Sequence, residues 1–396
     1  MFRRVYLDNS ATTPVDPDVL AAMLPFLTDK FGNASSIHHF GQEARAAVDK
    51  ARHQVAGLIN SRPSEIVFTS GGTESNNLAV RGLALANQKY GTHIITSAIE
   101  HPAVRSVCED LERSGFSVTY LRVYNDGIIR IEDVRNALQD DTFLISVMTA
   151  NNEIGTLQPV QEIGQLVREL KAGGRKIWFH TDAVQAVGKV SVDVEEIGCD
   201  LLSLSGHKIN APKGVGALYV RRGARLHSQN IGGRQERGIR GGTESVPFIV
   251  ALGAACEIAG NRLPGEREKL TAFRKRFEST VLENIPHSSI NGNIERRLPN
   301  VSNISFQGVE GEGLLIHLDM QGIAVSTGSA CSSGSLEPSP IIRALGQDDE
   351  LARGAIRFSF GPTNTAEDID RVLEILPASV ETLRNLAPSK AGRQAG

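Results

Sequence analysis

Between Glu65 and Val220 the sequence alternates short apolar runs with amphipathic stretches, and no other feature constrains the fold as strongly. The amphipathic stretches predict helices that begin near Thr73, after Pro102 and near Val160. Alternation of this kind predicts βαβ units and therefore an α/β fold with a mostly parallel sheet flanked by helices. Ligands of such sheets bind beyond the carboxyl ends of the strands. The apolar runs fall at residues 66–69, 93–97, 143–148, 177–179, 201–204 and 216–220.

The chain is long enough for two domains of unequal size. Its 396 residues exceed one ordinary domain. The composition changes at residues 261–265, which include a Pro-Gly pair and mark a boundary to a second domain. We predict a large domain of residues 15–262 and a smaller α+β domain made of residues 1–14 with 263–396.

The charge of the chain is nearly balanced, with 42 Lys and Arg against 45 Asp and Glu and a formal net charge of −3. A local excess of six arginines lies between Arg221 and Arg240. A solvated loop that faces a partner protein explains these arginines better than contact with RNA or with an acidic partner. We therefore expect no direct binding to nucleic acid.

Cysteine usage and the apolar segments indicate a reducing compartment. The four cysteines, Cys108, Cys199, Cys256 and Cys331, have no C-x-x-C spacing, which argues against a zinc site, a redox dithiol or a disulfide framework. The first residues lack the apolar stretch of a signal peptide. The longest apolar stretch, residues 246–256, is too short to cross a bilayer. We expect a cytoplasmic protein without a membrane partner.

A lysine and an acid follow two of the predicted strands. Lys208, in Gly206-His207-Lys208, comes directly after the apolar run 201–204, and Asp182 ends the run that begins at Ile177. At neighbouring strand ends, such a lysine can form a Schiff base with pyridoxal phosphate, and such an acid can keep the pyridine nitrogen protonated. A lysine alone would be a solvated surface group.

A Gly-rich turn at residues 70–76 joins a predicted strand to a predicted helix. Gly71 and Gly72 let the backbone approach an anion, the helix start offers unpaired N–H groups, and Thr73 adds a hydroxyl. An ordinary capped helix start explains the same residues equally well. The turn alone therefore does not distinguish phosphate binding from a capped helix start.

Three further polar residues follow predicted strands. His101 could stack on a cofactor ring and move protons. Asn152 and Gln185 could each donate a hydrogen bond to the phenolic oxygen of the cofactor. Taken singly, each is equally typical of a turn or a helix start.

Cys331 and Arg357 occupy unusual contexts for their residue types. Cys331 lies in a Ser/Gly-rich loop at 326–335, without the apolar neighbours that bury most cysteines. A cysteine on such a loop could reach a substrate as a thiolate nucleophile, or it could be an incidental surface thiol. Arg357 lies inside an apolar strand, where it pairs with an internal acid or clamps a substrate carboxylate.

Taken together and in this order, the motifs closely resemble the NifS/IscS-type cysteine desulfurases of the class V aminotransferase family, which are pyridoxal phosphate enzymes of fold type I. The likeness runs from about Val5 to about Leu376. The loop around Cys331 resembles the long-loop branch of that family, whereas the C-terminal tail does not resemble the one with which IscS proteins engage an iron–sulfur scaffold. The matching segments are residues 6–14, 31–36, 69–74, 151–153, 205–208, 240–243 and 328–331.

The resemblance implies a role for each matching position. Lys208 is the expected Schiff-base lysine, Cys331 the sulfur-accepting nucleophile and His101 the ring-stacking histidine. The implied substrate clamp is Asn33 with Arg357. Thr243 is expected to reach the phosphate of the partner subunit, which implies a homodimer. The implied cofactor-binding residues are Gly72, Thr73, Asn152, Asp182, Gln185, Ser205, His207, Lys208 and Thr243.

The expected reaction is the pyridoxal phosphate-dependent removal of sulfur from L-cysteine. It would give L-alanine and a Cys331 persulfide, passed on to a sulfur-acceptor protein for iron–sulfur assembly or thiolation. No metal is required for desulfuration, although Cys331 could ligate an iron–sulfur cluster transiently. The alternatives are a selenocysteine lyase or another transaminase-like enzyme of the same fold, and a non-catalytic partner that kept the fold.

Overall fold

The computed structural model describes residues 4–328 and 338–386. The strands within these ranges are β1 (Val5–Tyr6), β2 (Ile66–Thr69), β3 (His93–Ser97), β4 (Ser117–Leu121), β5 (Thr142–Ser146), β6 (Trp178–Asp182), β7 (Leu201–Ser205), β8 (Gly216–Val220), β9 (Ser288–Ile290), β10 (Val301–Phe306), β11 (Ile323–Ala324) and β12 (Ala355–Ser359). The helices are α1 (Pro17–Met23), α2 (His39–Leu58), α3 (Gly72–Asn87), α4 (Pro102–Arg113), α5 (Ile131–Asn136), α6 (Val160–Ala172), α7 (Val194–Ile197), α8 (Val246–Asn284), α9 (Gly311–Met320), α10 (Pro340–Ala344), α11 (Asp349–Arg353) and α12 (Ala366–Leu386).

Seven strands form the main sheet, in the order β2-β8-β7-β6-β5-β3-β4. Strands β7, β6, β5, β3 and β4 pair in parallel, and β8 runs antiparallel to both of its neighbours. Every residue of β2, β3, β5, β7 and β8 is buried, as expected for a sheet that is covered on both faces. The predicted α/β fold with a mostly parallel sheet is confirmed.

Alternate residues of the strands enter two different apolar cores. Leu144 faces the core that contains α3 and α4, whereas the next residue, Ile145, faces the core that contains α2, α6 and the first half of α8. This alternation follows from the two-residue period of a strand. The helices predicted near Thr73, Pro102 and Val160 are α3, α4 and α6.

A third apolar core lies around the smaller antiparallel sheet β12-β10-β9. Phe277 from the second half of α8 packs on Phe358 of β12, with ring centroids 4.7 Å apart. Helix α8 therefore reaches from one core to another. The predicted division at residues 262–263 falls inside this helix, and the division into domains stays a prediction.

Helix α8 is also the one described helix that is long and apolar enough to cross a membrane, by length and composition alone. It is much longer than the apolar stretch that the sequence suggested. Core helices of water-soluble proteins pass the same test. Here Ala251, Leu252 and Ala255 are buried in the apolar core that also contains α2 and α6.

Candidate active site

A cavity of about 450 Å³ opens at the carboxyl ends of β2, β3, β5, β6 and β7. Because the carboxyl ends of parallel strands meet at one edge of a sheet, side chains that follow different strands converge there. Arg357 reaches the same cavity from β12 of the smaller sheet. The residues proposed from sequence that line it are Gly72, Thr73, His101, Asn152, Asp182, Gln185, Ser205, His207, Lys208 and Arg357.

Lys208 follows β7 in a short 3₁₀ turn. Its Nζ donates hydrogen bonds to the carbonyl oxygens of Ser10, at 2.5 Å, and Ala11, at 2.8 Å. Gln185 Nε2 donates to the same Ser10 oxygen at 3.0 Å. The N-terminal segment thus forms one wall of the cavity and orients the lysine amine.

Asp182 ends β6 and is buried at the floor of the cavity. Asn76 Nδ2 donates to its Oδ2 at 2.7 Å, and the Val184 N–H donates to its Oδ1 at 3.0 Å. Both oxygens accept a hydrogen bond, which fixes the orientation of the carboxylate. The carboxylate can therefore hold a cationic group of a ligand.

The turn after β2 provides a cradle for an anion. Gly71 has a φ of 153°, and a Cβ added at Gly72 would lie 2.9 Å from the side chain of Val184. A larger residue at position 72 would therefore fill the cradle. Ser205 Oγ is buried beside this turn and has no hydrogen-bond partner among the residues that the structure describes.

Two histidines in the cavity are held in the neutral form. His101 caps α4, and its Nδ1 accepts a hydrogen bond from the Ala103 N–H at 3.1 Å, so the neutral ring carries its proton on Nε2. Burial lowers the pKa of His101, the Lys208 charge lowers it further, and Asp182 opposes both. Burial and the charge of Lys208 likewise lower the pKa of His207 to about 4.

Glu100 adds a second buried carboxyl group to the wall next to His101. Its Oε1 accepts from Ser97 Oγ at 2.6 Å and from the Met148 N–H at 2.9 Å. Its Oε2 is buried without a hydrogen-bond partner in the described ranges. Burial, reinforced by the charge of Asp182, raises the pKa of Glu100 to about 8. Glu100 is therefore mostly protonated at neutral pH.

Arg357 is fixed by two acceptors. Its Nη2 donates to Asp8 Oδ1 at 2.6 Å, and its Nη1 donates to the Asn152 carbonyl oxygen at 2.9 Å. Glu153 lies in the same part of the cavity, accepts a 2.6 Å hydrogen bond from Ser339 Oγ, and has its pKa raised by burial. A guanidinium so placed can bind a carboxylate ligand.

Two described residues proposed from sequence, Asn33 and Thr243, do not line this cavity, and a third candidate cannot be placed. Asn33 is exposed in the loop before α2, where its Oδ1 accepts from the Ser35 N–H at 2.9 Å. Thr243 is exposed before α8. Cys331 lies outside the described residues.

Sequence reasoning also missed three residues at the site, which are Asn76, Glu100 and Asp8. Asn76 lies one helical turn after Thr73, so helical spacing from that motif would have found it. No signal marks Glu100, because a glutamate beside a helix start is usually solvated. Asp8 belongs to the matching segment 6–14, but its partner is 349 positions away.

Comparison with known proteins yields a consistent set of matches. The family described as aminotransferase class-V matches residues 5–372. A relative described as cysteine desulfurase IscS from Dictyoglomus turgidum is 50% identical over 390 residues, covering 98% of each chain. A solved NifS-like protein has a TM-score of 0.90 at 38% identity, covering 96% of this chain and 100% of its own. The structure described as SspA in complex with cysteine has a TM-score of 0.80 at 38% identity, covering 91% of this chain and 100% of its own.

Proposed function

Because the chain belongs to the aminotransferase class-V family, we propose that it is a cysteine desulfurase, which takes sulfur from L-cysteine and releases L-alanine. The observation that carries this proposal is a single cavity that combines Lys208, Asp182 and Arg357. A lysine for covalent catalysis, a buried acid and a guanidinium for a carboxylate are what such chemistry on an α-amino acid requires. Relatives about half identical to this chain carry the same activity in their descriptions.

The cavity fits pyridoxal 5′-phosphate, on which enzymes of this family generally depend. Ser205 Oγ and Gln185 Oε1 are buried without hydrogen-bond partners in the described part of the chain, so both can form hydrogen bonds to a polar ligand. When bound, this group supplies an electron-withdrawing ring that acidifies the Cα proton of an attached amino acid. The residues that would hold it are Gly72, Thr73, Ser205 and His207 at the phosphate, Asp182 at the ring nitrogen, Asn152 and Gln185 at the phenolic oxygen, and His101 at the ring face.

Arg357 would bind the carboxylate of L-cysteine, because it is a buried cation that lines the cavity. Asn33, the second residue of the expected clamp, lies away from the cavity of its own chain. Its contribution would require a loop movement or the site of a partner subunit.

Lys208 would remove the Cα proton of the substrate. The carbonyl oxygens of Ser10 and Ala11 stabilise the resulting ammonium, since they already accept hydrogen bonds from Nζ. His101 holds a proton on Nε2 that it can donate to a group in the cavity.

Sulfur transfer would take place at Cys331. The Cys331 thiolate attacks the substrate sulfur, an S–S bond forms, and the Cβ–S bond breaks with its electron pair left on carbon. The carbon skeleton then takes up a proton and leaves as L-alanine, while the persulfide stays on Cys331. An iron–sulfur scaffold or a thiolation carrier would next accept the sulfur.

The functional unit would be a homodimer. Phe31, Ile37 and Ile231 are 69%, 90% and 86% exposed, which is unusual for large apolar side chains and supports contacts with a partner subunit. Thr243 is exposed on its own chain and would complete the phosphate site of the partner subunit. A cytoplasmic location remains our expectation.

The test is the production of alanine, and of sulfide in the presence of a reductant, from L-cysteine by the purified holoenzyme. Cys331→Ala should bind the cofactor normally but form no persulfide, whereas the matched variant Cys108→Ala should behave as wild type. Cys108 is buried in α4, and burial raises its pKa to about 12, so it cannot serve as a thiolate near neutral pH.

If Cys331→Ala released sulfide at the wild-type rate, Cys331 would be excluded as the nucleophile. A selenocysteine lyase would release selenide from selenocysteine without attacking L-cysteine, and a transaminase would give a 2-oxo acid rather than alanine.

A further inference from the structure

Asp8 pairs with Arg357 but is not among the described residues that line the cavity. Its Oδ1 accepts from Nη2 at 2.6 Å, with side chains that are 20% exposed for Asp8 and 2% exposed for Arg357. Arg357 is among the described residues that line the cavity, and Asp8 is not. The carboxylate therefore contacts the guanidinium without lining the cavity itself.

Asp8 is itself held in place by the strand that carries Arg357. The Asn9 N–H donates to the Ser359 carbonyl oxygen at 3.2 Å, and the Ser359 N–H donates to the Leu7 carbonyl oxygen at 2.7 Å. Tyr6 Oη also donates to the carbonyl oxygen of Asp8 at 3.0 Å. The short segment that bears the carboxylate is thus bonded on both sides of Asp8 to β12, so acid and arginine share one rigid frame.

Glu153, which lines the cavity, is an alternative acidic partner for Arg357. Glu153 lies close enough for the charge of Arg357 to lower its pKa against the effect of burial. Without Asp8 the buried guanidinium would lack a carboxylate partner, which is costly. The guanidinium could instead pair with the carboxylate of Glu153. Its N–H groups would then no longer be available to a ligand.

We infer that Asp8 is a positioning residue for the substrate. Asp8 fixes the guanidinium of Arg357 in an orientation that leaves the remaining N–H groups of Arg357 available to the α-carboxylate of an amino acid. The inference rests on the proposed function, which makes an α-amino acid the ligand of this cavity.

The experiment compares two ligands of the holoenzyme that differ only in the carboxylate, L-alanine and ethylamine, in titrations that follow the absorbance of the bound cofactor. Asp8→Asn keeps the size of the side chain but removes its charge, so it should weaken L-alanine binding roughly tenfold, as expected for a charged hydrogen bond. Ethylamine binding should not change. Arg357→Ala should give the same selective loss, and adding Asp8→Asn to it should have no further effect.

The matched control is Glu278→Gln, which neutralises the acid of another buried pair, with Arg297 at 3.0 Å, outside the cavity. It should alter neither affinity. Equal weakening of both ligands by Asp8→Asn would reveal a merely structural role and overturn the inference. Unchanged or tighter binding of L-alanine would overturn it as well.

If Asp8→Asn fails to fold, Asp8→Glu keeps the charge but displaces the carboxylate, and it should show the same selective loss of L-alanine. Alanine production from L-cysteine by the wild type is measured separately. Its absence would count against the proposed function, whereas the ratio of the two affinities would still test Asp8.

Discussion

Asn76 Nδ2 lies 2.7 Å from Asp182 Oδ2 and ties the first turns of α3 to the end of β6. The two residues are 106 positions apart, and both are buried. The carboxylate at the floor of the cavity is thus held by the same helix whose N-terminus forms the anion cradle. Cofactor phosphate and ring nitrogen would be bound by groups whose separation is fixed by one helix.

Replacing Asn76 with Ala should weaken binding of pyridoxal phosphate by roughly ten- to a hundredfold, since a hydrogen bond to a charged group contributes about 1.5–3 kcal/mol. The measurement is the dissociation constant from titration of the cofactor-free protein. Asn77→Ala is the matched control, because Asn77 Nδ2 donates to the Thr73 carbonyl oxygen and not to Asp182. Equal losses in both variants would show that α3, rather than the contact with Asp182, had been disturbed.

Replacing Glu100 with Gln should make the cofactor-free protein more stable than wild type at alkaline pH. The folded-state pKa of about 8 exceeds the ordinary 4.5, so the stability that Glu100 contributes is complete below pH 4.5 and is lost as the pH rises through 8. Between pH 5 and 9 the variant should gain about 4 kcal/mol relative to wild type. Urea unfolding at several pH values measures this gain.

The control for that measurement is Glu109→Gln, at an exposed position paired with Arg105. Its stability should follow the wild-type pH dependence. A pH-independent difference between Glu100→Gln and wild type would mean that Glu100 is already ionised in the folded protein.

Replacing Lys208 with Ala should lower turnover of L-cysteine by more than about a thousandfold, because one residue would supply both covalent catalysis and the base. The yellow colour of the purified protein should disappear as well. Lys213→Ala, at an exposed loop position nearby, should keep both. A yellow, active Lys208→Ala protein would contradict the whole assignment.

Replacing Thr243 with Ala should weaken cofactor binding in the homodimer by roughly ten- to a hundredfold, the cost of one hydrogen bond to a charged phosphate. Heterodimers of Thr243→Ala with Lys208→Ala chains would place both defects in one site and leave the other intact. Titration of purified heterodimers should therefore find one normal site per dimer. If the titration found only weak cofactor sites in the heterodimers, a contribution of Thr243 to the partner subunit's site would be excluded.

Much of the site was predictable because each candidate follows an apolar run that becomes a strand. Lys208 follows β7 and Asp182 ends β6. These strands are neighbours in the sheet, so local pattern and topology together bring the two residues to one edge. The Ser70–Asn76 turn was ambiguous in sequence. Ser205 Oγ beside it, buried with no partner among the described residues, supports a ligand there.

The remaining contacts depend on packing between distant segments, which periodicity does not encode. One partner of Glu100 is the N–H of Met148, and one partner of Arg357 is the carboxylate of Asp8. Asn33 and Thr243 matched a family pattern, yet the cavity is formed without them in a single chain. A contribution from a second chain cannot be deduced from the pattern of one.

The passage of α8 between two apolar cores has a mechanical consequence. Lys208 belongs to the main sheet, whereas Arg357 belongs to the smaller one, and the cavity lies between them. An amino acid that contacts both residues would act as a cross-link between the cores. Its binding should stiffen their relative arrangement, so substitutions along α8, remote from the cavity, could alter substrate affinity by changing how far apart the two sheets rest.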